Sequence, residues 1–248
     1  MSGLLVIGAH PDDEVLLAGG TLAACAAAGL ETGVVCLTRG ELGPIADSAL
    51  ATRATLGAVR LGELRASCAE LGAVLVKCWR RPDGSRRWSD GSAIVQQLVG
   101  VLGARRPEAV ITFGEDGLYY HPDHIATYEL VQRAVKQMPD PPALYRSVWP
   151  KAMMGSFGAE LRRRGLSDDL WELAPEDFGT EDLEGSFAID VRPFVQRKLT
   201  ALRAHRTQLP DHHALAAIDH GLAERFLGKE WFAPLGGVSD WLPRALGR

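Results

Sequence analysis

Short apolar runs alternate with longer amphipathic segments along the first 150 residues. The runs typical of buried strands lie at 4–8, 33–38, 73–78, 109–113 and 143–148. Segments with helical spacing of apolar residues separate them, at 14–28, 58–71, 92–104 and 123–137. Strands that are apolar on both sides and separated by helices indicate a mostly parallel sheet covered on both faces. The pattern therefore predicts a Rossmann-like α/β fold.

The pattern changes after Pro150. Residues 150–185 are rich in arginine and acidic residues, include Trp171, and show little periodicity. A strand-like segment, SFAIDV, and a helix at about 193–208 follow. We expect one domain over residues 1–248, in which the segment at about 150–185 forms an excursion or lid over the sheet.

Composition and charge narrow the range of partners that the protein can have. The 248 residues are 46% hydrophobic, which is ample for one large core. The net charge of -4 provides no basic face for nucleic acid, and no apolar run reaches the roughly 18 residues of a membrane span. We expect small-molecule partners and no membrane or nucleic-acid partner, and the sequence is compatible with a homo-oligomer.

The N-terminus and the cysteines indicate the cellular compartment of the protein. No basic leader with an apolar segment precedes the first strand, so we expect a cytoplasmic protein. The four cysteines form no CxxC pair and fall inside apolar patterns, which predicts buried free thiols in a reducing compartment. They are Cys25, Cys36, Cys68 and Cys78.

Polar clusters follow three of the predicted strands. They are HPDDE at 10–14, TRGELG at 38–43 and GEDGLYYHPDH at 114–124. Because ligands bind beyond the carboxyl ends of the strands in an open parallel sheet, all three clusters should meet at one edge. This edge is the predicted functional site.

The clusters contain the residue types of a metal-dependent hydrolase. His10 and Asp13, with one histidine from His121 or His124, could hold a divalent metal and leave a position open for water. Asp12 and the remaining histidine would then supply a base and a group that stabilises an oxyanion or protonates the leaving group. The alternative is structural, since acidic residues and Pro122 also suit helix starts. Two such clusters at one edge favour the metal site.

The same motifs resemble those of the LmbE/PIG-L family, metal-dependent N-deacetylases of molecules that contain N-acetylglucosamine. The matching segments are AHPDDE at 9–14, LTRGELG at 37–43, R-x-x-E-x-x-x-x-x-x-x-LG at 60–72, HPDH at 121–124 and K-x-x-A-L-x-x-H-x-x-Q at 198–208. They cover some 200 residues in the family's order. The resemblance implies a zinc-dependent deacetylase that releases acetate and a free amine from an N-acetylglucosaminyl small molecule.

The resemblance also implies individual roles. His10, Asp13 and His124 would hold the metal, usually zinc, although Fe²⁺ suits the same ligands. Asp12 would be the general base, His121 the acid or oxyanion-stabilising imidazole, and Tyr119 a side chain near the scissile carbonyl. Two further residues would contact sugar hydroxyls, Arg60 and Asp83. The chain length is nearer the bacillithiol-type members, and a thiol-conjugate amidase of the same family is an alternative.

Three other functions agree less well with the sequence. A non-haem iron oxygenase also uses two histidines and a carboxylate, but its usual all-β scaffold disagrees with the alternating pattern. A non-catalytic sugar-binding relative would not need Asp12 and His121. A dinucleotide-dependent oxidoreductase is disfavoured because VIGAHPDDE lacks the G-x-G-x-x-G turn.

Several smaller groups have structural and functional interpretations. The basic loop could clamp an anionic substrate, although a solvated loop is the simpler interpretation; it contains Arg80, Arg81, Arg86 and Arg87. A second metal cluster at Asp211, His212 and His213 lacks a further element at a defined spacing. Three tryptophans could stack on a sugar ring or pack onto the fold, Trp79, Trp88 and Trp171.

Overall fold

A computed structural model describes residues 3–84, 88, 91–211, 213–237 and 239–247. Within these residues, seven strands form one sheet. They are β1 Gly3–Gly8, β2 Glu31–Thr38, β3 Val74–Arg81, β4 Ala109–Thr112, β5 Ala143–Val148, β6 Phe187–Asp190 and β7 Lys229–Pro234. Their order is β3-β2-β1-β4-β5-β7-β6. The first five strands are parallel to one another, and β7 pairs antiparallel with both β5 and β6.

Helices cover both faces of this sheet. They are α1 Asp13–Ala27, α2 Leu56–Leu71, α3 Ser92–Arg105, α4 Gly117–Tyr120, α5 Pro122–Val135, α6 Lys151–Arg163, α7 Val195–Ala204, α8 His220–Phe226 and α9 Trp241–Ala245. None of the helices in the described ranges has both the length and the apolar character needed to cross a membrane. The mostly parallel, three-layer α/β prediction is confirmed.

The central strands are apolar throughout because they face two cores. Leu4 and Val6 of β1 pack in one core with α1, α2, α6 and α7. The alternate residues Leu5 and Ile7 pack in the second core with α3 and α5. All four side chains are fully buried. Because both of its faces are buried, this strand lacks the alternation of apolar and polar residues that marks a half-exposed strand.

The strand order places a cleft at the predicted edge. From β1 the chain proceeds to β2 and β3 on one side, and then to β4 and β5 on the other. Such a reversal of strand order opens a crevice beyond the carboxyl ends of the two strands at the switch. Those strands are β1, which precedes HPDDE, and β4, which precedes GEDGLYYHPDH.

Helix α6 was not predicted, because the segment after Pro150 was interpreted as irregular. Its buried face is formed by Met154, Phe157, Gly158 and Leu161, which have the i, i+3, i+4, i+7 spacing of an amphipathic helix. The glycine in this face conceals the pattern in the sequence. It also allows close packing, since a Cβ at Gly158 would lie 3.3 Å from the ring of Pro175.

The last motif of the family resemblance begins with a buried ion pair. Lys198 of α7 lies 2.6 Å from the Glu230 carboxylate of β7, and each residue is 5% exposed. Helix α1 is kinked at Ala18, which leaves the amides of Gly20 and Thr21 to donate to Glu230, each at 2.8 Å. This ion pair therefore joins α1, α7 and the antiparallel strand β7.

Candidate metal centre

Three predicted metal ligands meet at the switch between β1 and β4. Nε2 of His124 lies 3.3 Å from Nδ1 of His10 and 3.2 Å from Oδ1 of Asp13. The three side chains are buried, and His124 is fully inaccessible to solvent. His10 and Asp13 come from the turn between β1 and α1, whereas His124 lies in the first turn of α5. We call these three residues the ligand triangle.

The spacing within the ligand triangle suits a small divalent ion. Nitrogen and oxygen ligands about 2.0–2.2 Å from a tetrahedral zinc ion lie about 3.3–3.5 Å apart. The separations of 3.2 and 3.3 Å in the triangle are close to this range. Two imidazoles and one carboxylate with a fourth position open are also the donor set of catalytic zinc sites. The residues present therefore fit the metal that the sequence implies.

Each ligand is oriented by a contact on its other side. Nδ1 of His124 lies 3.0 Å from the carbonyl of Gly117, so its Nε2 faces the triangle. Oδ2 of Asp13 accepts hydrogen bonds from the amides of Ala9 and His10 at 2.8 and 2.7 Å. Such outer contacts fix the tautomer and rotation of metal ligands. The ring of His124 also stacks on Phe113, with centroids 4.0 Å apart.

His10 is held by two carboxylates. Its Nε2 lies 3.1 Å from Oδ1 of Asp83 and 3.1 Å from Oδ2 of Asp123. Burial lowers the pKa of His10, but hydrogen bonds to Asp123 and Asp83 outweigh it and raise the pKa to about 10. These three residues also have the spacing of a metal site. We interpret the carboxylates as acceptors for the Nε2 proton, because that leaves Nδ1 directed at the triangle.

His121 lies beside the triangle and caps helix α5. Its ring centroid is 4.9 Å from that of His10 and 4.7 Å from that of His124, so it could join these two histidines as a ligand in place of Asp13. However, its Nδ1 accepts the amide of Asp123 at 3.2 Å. Burial, with the charges of His124 and His10, lowers the pKa of His121 to about 4. A neutral imidazole that accepts at Nδ1 carries its proton at Nε2, as an oxyanion donor requires.

Asp12 lies next to the triangle in a strained backbone conformation. Its φ of 113° is in the left-handed region, which non-glycine residues rarely adopt. Burial raises the pKa of its carboxyl group to about 6, although the nearby charge of Arg60 opposes this. A carboxylate with a raised pKa that is not needed as a ligand has the properties of a general base.

Backbone strain is concentrated around this site. Of the six non-glycine residues with positive φ in the described ranges, only Arg106 is elsewhere in the fold. The other five are Asp12, Leu118, Tyr120, Trp171 and Glu172. Each such residue costs of order 1–3 kcal/mol, and strain of this kind clusters at active sites and ligand clamps.

Arg60 holds the HPDD turn from helix α2. Its guanidinium donates to the carbonyl of Pro11 at 2.6 Å, to Oδ2 of Asp12 at 3.1 Å and to the carbonyl of Gly40 at 2.9 Å. Gly40 has a φ of +60°, and a Cβ there would lie 2.0 Å from the guanidinium. The glycine of the RGELG motif therefore makes room for this arginine.

The two residues predicted to contact sugar are engaged within the protein. Arg60 is 3% exposed and Asp83 is 6% exposed. Arg60 contacts Asp12, and Asp83 contacts His10 and accepts the amide of Leu42 at 2.9 Å. A role in sugar binding stays a prediction, whereas their contacts point to orienting the base and a ligand.

Glu14 joins three helices behind the turn. Its Oε2 accepts the amide of Asp12 at 3.0 Å, and its Oε1 lies 2.7 Å from Nε2 of His205 at the end of α7. Ser67 of α2 donates to the same Oε1. All of the partners except Asp12 are buried. The third acid of HPDDE and the histidine of the last motif thus support the backbone of Asp12.

An aromatic wall borders the site on the side of the excursion; it consists of Tyr119, Trp149, Trp171 and Phe178. The rings of Tyr119 and Trp171 stack at 4.2 Å, and Tyr119 also meets His124 edge-on at 4.9 Å. Trp171 occupies a tight turn in which Leu170 and Leu173 exchange backbone hydrogen bonds of 2.9 and 3.0 Å. Burial raises the pKa of the Tyr119 phenol well above its usual value, so it remains a proton donor.

The smaller groups are separate from the triangle or lie partly outside the described residues. Trp88 is buried and donates to the carbonyl of Pro82 at 2.8 Å. Trp79 packs against the core beneath α3 and α5. Arg81 contacts Gln97 at 3.0 Å. Three residues of these groups lie outside the described ranges, Arg86, Arg87 and His212.

Sequence reasoning missed the orienting partners of the ligands. Asp123 was considered only as a helix-start residue, and Phe113 and Trp171 were not connected with His124 and Tyr119. A signal existed for Asp123, because it lies inside HPDH, where its carboxylate directly precedes the predicted ligand His124. No local signal connects Trp171 with Tyr119, which are 52 positions apart in the sequence (171 minus 119).

Comparisons with known proteins identify the family of the chain. The sequence matches the family model described as PIG-L, GlcNAc-PI de-N-acetylase, over residues 5–135. A 1D-myo-inositol 2-acetamido-2-deoxy-alpha-D-glucopyranoside deacetylase of Thermobispora bispora is 32% identical, covering 98% of this chain and 91% of the relative.

Solved structures resemble the whole fold. The N,N'-diacetylchitobiose deacetylase of Pyrococcus horikoshii has a TM-score of 0.65 at 25% identity, covering 94% of this chain and 84% of the other. A 4-carboxy-2-hydroxymuconate hydratase of Pseudomonas putida has a TM-score of 0.64 at 19% identity, covering 96% and 98%. The second match is evidence for the fold alone, so function has to be argued from the site.

Proposed function

Because the chain belongs to the PIG-L family of GlcNAc-PI de-N-acetylases, we propose that it hydrolyses the acetamide of an N-acetylglucosaminyl small molecule. The products would be acetate and a free amine. One observation carries the proposal: the ligand triangle has an acid, Asp12, and an imidazole, His121, beside it that the triangle does not need. A site that only bound a metal or a sugar would not require them.

We propose zinc as the metal, held by His10, Asp13 and His124, with ferrous iron as the other ion that suits these ligands. When bound, such an ion acts as a Lewis acid and lowers the pKa of water from 15.7 to about 7. The spacing of the triangle and the contacts behind each ligand support this assignment.

One carboxyl group of the protein, that of Asp12, serves both proton transfers. Arg60 holds Oδ2 of Asp12, so Oδ1 is the oxygen offered to the attacking water. Asp12 accepts the water proton as the new C–O bond forms, and later donates it to the departing nitrogen as the C–N bond breaks. Asp12 is suited to both steps, because a raised pKa makes its protonated form accessible near neutral pH.

The developing oxyanion needs donors that are already in place. Nε2 of His121 is such a donor, because Nδ1 accepts from the helix backbone. The Tyr119 phenol is the second candidate, since its ring contacts those of His121 and His124 at 5.8 and 4.9 Å. Oriented donors of this kind are worth about 10²- to 10³-fold in rate.

We propose inositol as the first candidate for the group that is attached to the sugar of the substrate. The relative from Thermobispora bispora is named for an inositol glucosaminide, and it matches nearly the full length of both chains. We further propose that residues 150–185, in one domain with the rest of the chain, form the pocket wall through Trp171. Its stacking on Tyr119 supports this assignment.

The test is a primary-amine release assay with N-acetylglucosaminyl compounds that differ in aglycone, including the inositol glycoside. Amine and acetate should appear in equal amounts, stop after chelation, and return when zinc or ferrous iron is added. Oxygen consumption is measured in parallel, because an iron oxygenase would consume oxygen and release no acetate. Metal-independent release, or no release from any compound, would contradict the proposal.

A further inference from the structure

Two cysteines are direct partners on neighbouring parallel strands. Cys36 of β2 pairs in register with Cys78 of β3, the edge strand of the sheet. Both side chains pack into the same core, so they leave the sheet on the same face. Adjacent strands lie about 4.8 Å apart, and disulfides form when Cα atoms are about 4.4–6.8 Å apart. The backbone spacing therefore permits a bond between these residues.

The two sulfur atoms converge on one acceptor. Sγ of Cys36 lies 3.1 Å and Sγ of Cys78 lies 3.2 Å from the carbonyl oxygen of Thr38. Both thiols are free in this structure. Because they share one oxygen atom, rotation about the two Cα–Cβ bonds can bring the sulfurs together without a change of strand register.

The two thiols differ in access and acidity. Cys36 is buried, and burial raises its pKa well above the ordinary value. Cys78 is only partly buried, at the sheet edge. The Cys36 thiol lowers the pKa of Cys78 against the effect of burial, and Arg39 and Arg60 lower it further. An accessible thiol with a lowered pKa beside a second thiol is the arrangement of redox-sensing cysteines.

We propose that Cys36 and Cys78 form a reversible peroxide-oxidation site, in which Cys78 reacts first and Cys36 resolves it. The Cys78 thiolate attacks one oxygen of hydrogen peroxide, the O–O bond breaks, and hydroxide leaves with formation of a sulfenic acid. The Cys36 sulfur then attacks Sγ of Cys78, and the sulfenic oxygen leaves as water with the Cys36 proton. Two thiols are oxidised to one disulfide, and one peroxide is reduced to two waters.

The site adjoins the predicted metal centre without sharing a residue with it. The backbone amide and hydroxyl of Thr38 both donate to the carbonyl of Ala9, at 2.8 and 3.0 Å, and Ala9 immediately precedes His10. The Cys36 thiol also lies 3.5 Å from that carbonyl. The inference rests on the geometry, access and acidity of the two thiols and does not depend on the proposed function.

The test treats the full-length, folded protein with hydrogen peroxide, blocks the remaining thiols, and identifies the bond by peptide mass analysis without reduction. We expect the intact mass to fall by the mass of two hydrogen atoms. Peptide analysis should find one pair of peptides joined through Cys36 and Cys78. A dithiol reductant should restore the original mass. In Cys36→Ser, the sulfenic acid at Cys78 should accumulate and be trapped by a 1,3-dione reagent. The intact mass of Cys78→Ser should not fall after peroxide treatment.

Buried cysteines provide the controls. Cys25 and Cys68 are both buried, and burial raises the pKa of Cys25 to about 12 and that of Cys68 well above its usual value. Cys25→Ala and Cys68→Ala should therefore form the Cys36–Cys78 bond at the rate of the unmodified protein. A bond from Cys78 to Cys68, a mass loss in Cys78→Ser, or full alkylation of both Cys36 and Cys78 after peroxide would each overturn the proposal.

Discussion

The ligand triangle and the aromatic wall face each other, but different kinds of information determine them. The triangle comes from two short motifs at the ends of β1 and β4, and backbone groups within seven residues orient Asp13 and His124. The wall combines Tyr119, in the short helix α4 after β4, with side chains of residues 150–185 and their flank, including Trp171. Chemistry that depends on local geometry is therefore predictable from motifs, whereas the shape of the pocket depends on long-range packing.

The largest effect should follow removal of a ligand from the triangle. His124→Ala deletes a fully buried donor, and even loss of an outer contact typically weakens metal binding about 10- to 100-fold. We expect the affinity for the metal to fall by at least about 100-fold. Bound metal per chain should fall with it, and activity should reach background. Elemental analysis after dialysis checks this. His220→Ala, at an exposed histidine, is the matched control, and full metal content in His124→Ala would remove His124 from the ligand set.

The next largest effect separates the base from the ligands. Asp12→Asn keeps the size and the position of the side chain but cannot accept the water proton, so kcat should fall by about 10²- to 10⁴-fold. Bound metal should be unchanged, because Asp12 contacts Arg60 and not the triangle. Asp13→Asn is the comparison and should lose metal instead. Turnover within threefold of the unmodified protein would exclude Asp12 as the base.

An intermediate effect distinguishes two roles for Asp83. The family resemblance predicts sugar contact, whereas the contact with Nε2 of His10 at 3.1 Å indicates that Asp83 orients a ligand. Asp83→Asn should weaken metal binding about 10-fold, at the low end for such contacts because Asp123 contacts the same nitrogen. Metal titration and KM are measured together. A raised KM with unchanged metal affinity would instead support the sugar role.

The sequence predicted which polar side chains meet at this edge of the sheet, because short-range geometry decides their positions. A strand followed by HPDDE places His10 and Asp13 three positions apart across one turn, and HPDH starts a helix at the same edge. The parallel pattern of five strands places both motifs at one edge, and the strand order then makes β1 and β4 neighbours. The contacts of Arg60 and Asp83 were harder to predict, because burial decides whether a polar side chain faces the substrate or supports its neighbours.

The rest of the fold lacked local signals of this kind. Helix α6 has an apolar stripe, but a glycine takes one of its four positions. Strand β7 is antiparallel and pairs between β5 and β6, so its place in the sheet depends on contacts with strands distant in the sequence. Trp171 needs a turn with two non-glycine residues at positive φ, a conformation that sequence rules disfavour. Tertiary packing supplies the free energy for each of these features.

The smallest effect should come from the aromatic wall. Stacked aromatic pairs contribute about 0.5–1.5 kcal/mol beyond burial, which corresponds to about 2- to 13-fold in rate or affinity. Trp171→Ala should therefore change kcat/KM for the inositol glycoside by about 3- to 10-fold and leave bound metal unchanged. Trp171→Phe keeps a ring against Tyr119 and should recover most of the loss. If Trp171→Ala instead released the metal, the wall would support the ligand triangle itself, and the separation between the two regions would be wrong.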